Sequence, residues 1–257
     1  MIFDTHIHTH YSIDSHMNPQ EAIDAASKLE LGLCVTEHVD YECDTDDLNV
    51  FDMDEYFTEY GPYKSENFLL GIEIGLTVNT RAIARKTASD PRLDFCLGSV
   101  HLSYGHDMFY PSFWRQSIPA EDIMGDYLKY TAKAIDMCDF FDSLGHIDYP
   151  SRYCPFRQKN IKYKTFKKLY DEIFAALLDK KKVIEINTKR MNDMAAAKNL
   201  FNIYEGYYAC GGRYVTLGSD AHSQGNIGRD IDKAFHMAKK IGLTPVRFAA
   251  REMIVGV

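Results

Sequence analysis

The sequence predicts an α/β protein built on one parallel sheet. Three observations carry that expectation. Seven short apolar runs are spread along the 257 residues, stretches of helical period lie between them, and most runs end in a His, Asp or Glu. Short, continuously apolar runs suit strands buried on both faces, and strands alternating with helices give a parallel sheet.

The elements follow in order. Ile2 to Thr5 reads as the first strand and runs into His6 and His8, with Asp14 beyond. Asn18 and Pro19 resemble a cap and first-turn proline, opening a helix to about Glu30 that Gly32 stops. Leu33 to Thr36 is the second strand and ends TEH, with His38. Asp40 to Asp54 is strongly acidic and reads as a long surface loop. Phe68 to Ile74 is the third strand, containing GIEIG with Glu73, and Phe95 to Val100 is the fourth, ending GSVH with His101. His106 to Pro119 is aromatic and turn-rich; it and the acidic loop are placed to overhang a site. Ile123, Tyr127, Leu128, Ala134 and Ile135 mark a helix. Phe141 to Leu144 is the fifth strand, leading into LGHID with His146 and Asp148. Tyr163 to Leu178 is the clearest helix, with apolar residues on one face and lysines and acids on the other. Val183 to Ile186 is the sixth strand, ending EINTKR, and Tyr214 to Leu217 the seventh, ending LGSDAH with Asp220 and His222. Ile231 to Ile241 is again helical. With no linker or repeat in between, residues 1–257 read as one domain.

Composition narrows the function. Hydrophobic residues make up 46% of the chain, enough for a substantial core, and the formal net charge is −8. That charge argues against broad binding to nucleic acid or to an anionic membrane, so an anionic substrate needs a local positive cluster. No basic segment followed by an apolar run opens the chain, and no apolar stretch is long enough to span a bilayer. The six cysteines are scattered without a CxxC pair, as expected for reduced thiols in the cytoplasm. Nothing in the sequence speaks to oligomeric state.

The strand ends carry the chemistry. Residues i and i+2 of a strand point the same way, so the two imidazoles of an HxH can grip one cation. A lone HxH is a weak signal; many such residues at equivalent strand ends are a strong one, because ligands gather at that edge of a parallel barrel. Glu73 stands in an apolar strand, where a carboxylate needs a cation or several donors; a structural salt bridge is the competing reading. Asp220 and His222 follow Gly218 and Ser219, which also suit a plain turn. His106 and His236 read as surface histidines, while His10 and His16 stay open.

Together HIHTHYSID, TEH, GIEIG, GSVH, LGHID and LGSDAH resemble the PHP (polymerase and histidinol phosphatase) superfamily from Asp4 to His222. GHIDYPSRY and EINTKR resemble its monofunctional histidinol-phosphate phosphatases. The resemblance implies a distorted (β/α)7 TIM-like barrel and two or three divalent metals, commonly zinc, manganese or iron. Carried over by position, one metal takes His6, His8, Glu73 and Asp220. A second takes Glu73, His101 and His146, with Glu73 bridging. A third takes Asp14, His38 and His222; many relatives have histidine where Asp14 stands, and His16 competes for that role.

The activity this implies is phosphate-monoester hydrolysis by a metal-bridged hydroxide, with L-histidinol phosphate, an intermediate of histidine biosynthesis, as the expected small substrate. Glu73 and Asp220 are the catalytic candidates, Asp220 as one source of the leaving group's proton. Arg152 and Arg190 are the candidates for gripping phosphate; their competing reading is solvated surface charge. Asp44, Asp46 and Asp47 are candidates for holding the substrate's ammonium group; the competing reading is a solvated acidic run. One rival is a PHP phosphoesterase acting on nucleotides or nucleoside bisphosphates; another is a non-catalytic metal-binding module of the kind attached to DNA polymerases.

Overall fold

The β-branched and leucine-rich runs form strands because both of their faces are covered. In the computed structural model, which describes residues 1–42, 49–115, 118–157 and 159–256, β1 (Phe3–Ile7), β2 (Gly32–Val39), β3 (Phe68–Gly75) and β4 (Phe95–Ser99) lie parallel in that order. A small antiparallel hairpin follows, β5 (Leu102–Ser103) and β6 (His106–Asp107). The main sheet resumes with β7 (Ser143–Leu144), β8 (Val183–Asn187) and β9 (Tyr214–Gly218), again parallel.

The parallel sheet then closes on itself. Beyond β9, Asp220 N donates to His6 O at 2.7 Å, His8 N donates to Ala221 O at 2.8 Å, and Ile7 bridges Ala221 in parallel. Asp4 reinforces this seam by accepting from Ser219 N at 2.8 Å and Gly228 N at 2.9 Å. The result is the distorted seven-stranded barrel the sequence led us to expect.

The distortion lies at the other end of the seam. There β9 pairs with β10 (Thr244–Ala249), which turns back antiparallel as β11 (Glu252–Val255). Val246 and Phe248 of β10 pack with Phe3, Cys34, Leu69, Phe95, Leu97 and Val183, a core cluster at the bottom of the barrel. This hairpin was not foreseen. β11 alternates weakly, with Met253 and Val255 exposed, so it carries neither a buried-strand nor a helical pattern.

The helices are α1 (Pro19–Lys28), α2 (Met53–Tyr60), α3 (Arg81–Ala88), α4 (Ala120–Met137), α5 (Pro150–Tyr153), α6 (Lys167–Asp179), α7 (Met194–Ala209) and α8 (Ile231–Ile241). Asn18 caps α1 through a capping box with Glu21, as its sequence suggests. Two expectations need correcting. The clearest helix starts at Lys167 rather than Tyr163, although the Tyr163 ring still packs on Tyr170 and its hydroxyl donates to Asp171. The acidic stretch is not one loop: Asp40 bridges Asn49, and Asp52 caps α2 by accepting from Asp54 N and Glu55 N. Asp44, Asp46 and Asp47 lie outside the described residues. Cys34, Cys96, Cys138 and Cys154 are buried free thiols, as expected of small core residues. No described helix is long and apolar enough to cross a membrane.

Candidate metal centre

The C-terminal ends of the barrel strands bring their histidines and acids into one buried cluster. His6 and His8 leave β1 on the same side, and their Nε2 atoms face each other at 3.0 Å. Glu73 of β3 is 1% exposed; its Oε2 lies 3.3 Å from His6 Nε2 and 3.5 Å from His8 Nε2. Its Oε1 lies 2.8 Å from His146 Nε2 and 3.4 Å from His101 Nε2. One carboxylate is thus shared by two groups, His6–His8–Glu73 and Glu73–His101–His146. A third group, His8–His38–His222, adjoins them. The His8 ring stacks between His38 at 4.1 Å and His222 at 4.2 Å. Asp14 approaches this third group, 3.0 Å from His222 Nε2 and 3.8 Å from His38 Nε2.

These residues fit divalent cations on their own geometry. Glu73 Oε2 and His38 Nδ1 are buried and 2.9 Å apart, yet neither completes a hydrogen bond among the described residues. Buried polar atoms left without hydrogen bonds are costly, and a cation among them removes the cost. Two imidazole nitrogens converging on one point with carboxylate oxygens is the donor set that zinc and its neighbours take, at about 2.0–2.1 Å for nitrogen.

Electrostatics agree. Burial, then the rings of His38 and His222, hold the His8 imidazole well below its ordinary pKa; burial and then Arg152 lower that of His146. Neutral rings keep a lone pair for a metal. Burial alone would raise the Glu73 pKa, but His6 and His38 outweigh it and hold the group well below the usual carboxylate range. The same contest runs the other way at His6. Burial disfavours its charge, yet Glu185, Glu73 and Asp220 draw its pKa well above the ordinary value. The acids of this site call for positive charge.

Acids behind the rings orient them. His6 Nδ1 lies 2.7 Å from Glu185 Oε1, and Glu185 Oε2 accepts from His146 N at 2.7 Å. His8 Nδ1 lies 3.1 Å from Ser12 Oγ, which donates to Glu37 Oε2 at 2.5 Å. Glu37 also accepts from the Thr9 amide and hydroxyl. His101 Nδ1 lies 3.2 Å from Asp40 Oδ1. A carboxylate behind the ring fixes the tautomer and turns Nε2 toward the centre.

The comparisons with known proteins bear on this arrangement. The family model described as PHP domain matches residues 4–189. The chain belongs to the PHP domain family. A probable histidinol-phosphatase of Clostridium acetobutylicum is 40% identical to this PHP domain over 253 residues, covering 98% of the chain and 99% of the relative. The histidinol-phosphatase of Lactococcus lactis subsp. lactis is 29% identical over 247 residues, covering 93% and 91%. The crystal structure of histidinol phosphate phosphatase from that organism, complexed with zinc, L-histidinol and phosphate, has a TM-score of 0.92, 27% sequence identity and 98% coverage of both chains.

Within this PHP domain the sequence-derived ligands take the following places. His6, His8 and Glu73 meet as expected, and so do Glu73, His101 and His146. His38 and His222 meet over His8 rather than over Asp14 alone, so His8 serves two groups. Asp220 stands at the edge, its Oδ1 3.9 Å from His6 Nε2 and 3.7 Å from His8 Nε2. Its Oδ2 accepts from Arg152. Arg152 is buried beside the centre, with Nε and Nη2 lacking a hydrogen-bond partner among the described residues. Arg190 is committed elsewhere: Nη1 donates to Asp148 at 2.8 Å and Nη2 to Asn160 at 2.5 Å. His16 is exposed and joins none of the three groups, while His10 pairs with Glu59 at 3.1 Å. The aromatic stretch reaches the site through Asp107, which accepts from the Tyr149 hydroxyl at 3.1 Å.

Glu185, Glu37, Asp40 and Lys189 were missed. Lys189 Nζ donates to Asp220 O at 2.7 Å. The only sequence signal for Glu37 and Glu185 was an acid inside an apolar strand, the argument that did find Glu73.

Proposed function

We propose that this PHP domain hydrolyses the phosphate monoester L-histidinol phosphate to L-histidinol and phosphate. The observation that carries the reading is Glu73, buried and shared between two histidine groups, with a buried arginine beside them that has donors to spare. Relatives named as histidinol-phosphatases along the whole chain supply the substrate, and the Lactococcus enzyme that holds zinc, L-histidinol and phosphate supports the cofactor. Two or three divalent ions (zinc, manganese or iron) are assigned to His6, His8, Glu73 and Asp220; to Glu73, His101 and His146; and to Asp14, His38 and His222 with His8 at their border. When bound, such ions acidify a water and neutralise phosphoryl oxygens.

The chain's own residues do the rest. Arg152 aims Nε and Nη2 at the phosphoryl oxygens, a forked donor pair suited to a tetrahedral anion. Nη1 keeps its contact with Asp220 Oδ2 while Nε and Nη2 take the ester, so the carboxylate stays beside the reacting group, and we assign to it the transfer of a proton from the attacking water to the leaving alkoxide. Arg190 braces the loop that carries Asp148, because both its terminal nitrogens are engaged. Residues 1–257 are read as one domain, supported by a hydrophobic core that joins Val39 to Leu243. A cytoplasmic location agrees with the unpaired cysteines among the described residues.

The test is phosphate release from L-histidinol phosphate and from a panel of nucleotides and bisphosphates, with metal content measured on the same protein. Histidinol phosphate should be preferred, chelation should stop release, and added metal should restore it. Metal-loaded protein that cleaves no ester would favour a binding module; preference for a nucleotide would move the substrate assignment.

A further inference from the structure

Among the assigned ligands only Asp220 has a left-handed backbone, with φ of +56°. A residue with a Cβ adopts that conformation at a cost and keeps it only where its surroundings hold it. The holders are visible on every polar atom. Asp220 N donates to His6 O at 2.7 Å, which fixes the near side of the residue. Oδ2 is taken by Arg152 and reached by Asn187 Nδ2 at 3.5 Å. The carbonyl is held by Lys189 Nζ at 2.7 Å, with His222 Nδ1 at 3.0 Å. Oδ1 faces His6 Nε2 at 3.9 Å and His8 Nε2 at 3.7 Å, with His222 Nδ1 at 3.5 Å.

Lys189 is itself anchored. Its backbone N–H donates to Asn187 Oδ1 at 3.0 Å, on the turn that follows β8. Its ammonium also stands 3.6 Å from Asp220 Oδ1, on a side chain 38% exposed at the barrel mouth. The lysine therefore ties the end of β8 to the strained peptide after β9. We propose that Lys189 is a positioning residue for Asp220: it holds the left-handed peptide and thereby aims Oδ1 at His6 and His8. The inference rests on reading Asp220 as a metal ligand.

The experiment compares Lys189→Met, Lys189→Arg, Asp220→Asn and the Lys189→Met/Asp220→Asn double variant. Three quantities are read: metal retained per chain during dialysis against a weak chelator, kcat and KM for L-histidinol phosphate, and thermal melting. Lys189→Met should melt near the wild type. It should lose metal under conditions that leave the wild type loaded, with kcat lower by about 10- to 100-fold, the range for residues that orient a ligand. KM should stay within about twofold, and Lys189→Arg, which keeps the donor, should recover most of the loss. In the Asp220→Asn background the lysine substitution should add nothing, because its route of action is gone. A raised KM with metal retention and kcat intact would make Lys189 a substrate contact and overturn the proposal. So would additive losses in the double variant, or an arginine variant as defective as the methionine one even if methionine lowers the melt. Wild-type protein that neither holds metal nor cleaves the ester would sink the functional reading instead, a result distinct from wild-type behaviour in Lys189→Met.

Discussion

Glu73 does two things that no neutral side chain can do together: it offers an oxygen to each of two histidine groups, and it brings negative charge into a buried position. Glu73→Gln keeps the size and one oxygen but removes the charge. It should leave at least one metal position empty by mass spectrometry and lower kcat on the order of 10²- to 10³-fold. A variant with full metal content and rate would remove the bridging role. Arg152 makes a different demand. Lysine keeps the charge but loses the fork, so Arg152→Lys should retain metal while kcat/KM for the ester falls by about 10- to 100-fold. An unchanged kcat/KM would place the phosphate elsewhere. The residues legible in the sequence are those whose chemistry is local: HxH on one strand, or a lone glutamate among apolar neighbours. Asp40 carried no such signal, and although Glu185 stands in an apolar strand as Glu73 does, no spacing encodes that it meets His6 or that Asp40 meets His101.

At the scale of elements, the strands were read well because burial on both faces leaves an unbroken apolar run, as in FLLGIEIG of β3. Helices were read only where one face is wet. α6 declared itself, whereas α7 buries Ala196, Asn199, Leu200, Ile203, Tyr204, Gly206 and Tyr207, a mix of small, polar and aromatic residues that blurs the helical stripe. The packing of strand against strand also explains Gly218. A Cβ there would run into the Glu185 carboxylate and the Cβ of His6, so β9 needs a glycine for β8 to orient the β1 imidazole. Gly218→Ala should destabilise the protein by about 1–3 kcal/mol in denaturant melts, as overpacking does. It should also weaken metal retention, because Glu185 must move off His6. Equal metal affinity in a folded Gly218→Ala protein would show that Glu185 is dispensable as an orienting group.

For the molecule as a whole, a second polar network lies at the end of the barrel opposite the candidate metal centre, around Arg251. Arg251 donates to both oxygens of Asp142, Nε at 2.5 Å and Nη2 at 3.0 Å, and also to the carbonyls of Ala88 and Phe140. Its backbone N–H donates to Asp94 O at 2.9 Å, and Ala250 N donates to Asp94 Oδ1 at 3.0 Å. One guanidinium thus ties the β10–β11 turn to the chain segments entering β4 and β7. Arg251→Ala leaves the largely buried Asp142 without its cation and should cost about 3–5 kcal/mol. Per folded molecule, kcat and metal content should not change, because the site is at the far end. A drop in kcat without a drop in stability would contradict that division of labour.

The seam between β1 and β9 has a consequence for how the protein is made. Asp4 and Ser219, bonded across it, are 215 residues apart in the chain. Contacts of such sequence separation form late, because the intervening chain must be brought together before they return any stabilisation. During synthesis His6 and His8 leave the ribosome early and wait, without Asp220 and His222, for the rest of the barrel. Capture at the positions that need Asp220 and His222 is thereby reserved for the closed barrel, whereas Glu73, His101 and His146, which come from neighbouring strands, do not wait for the seam.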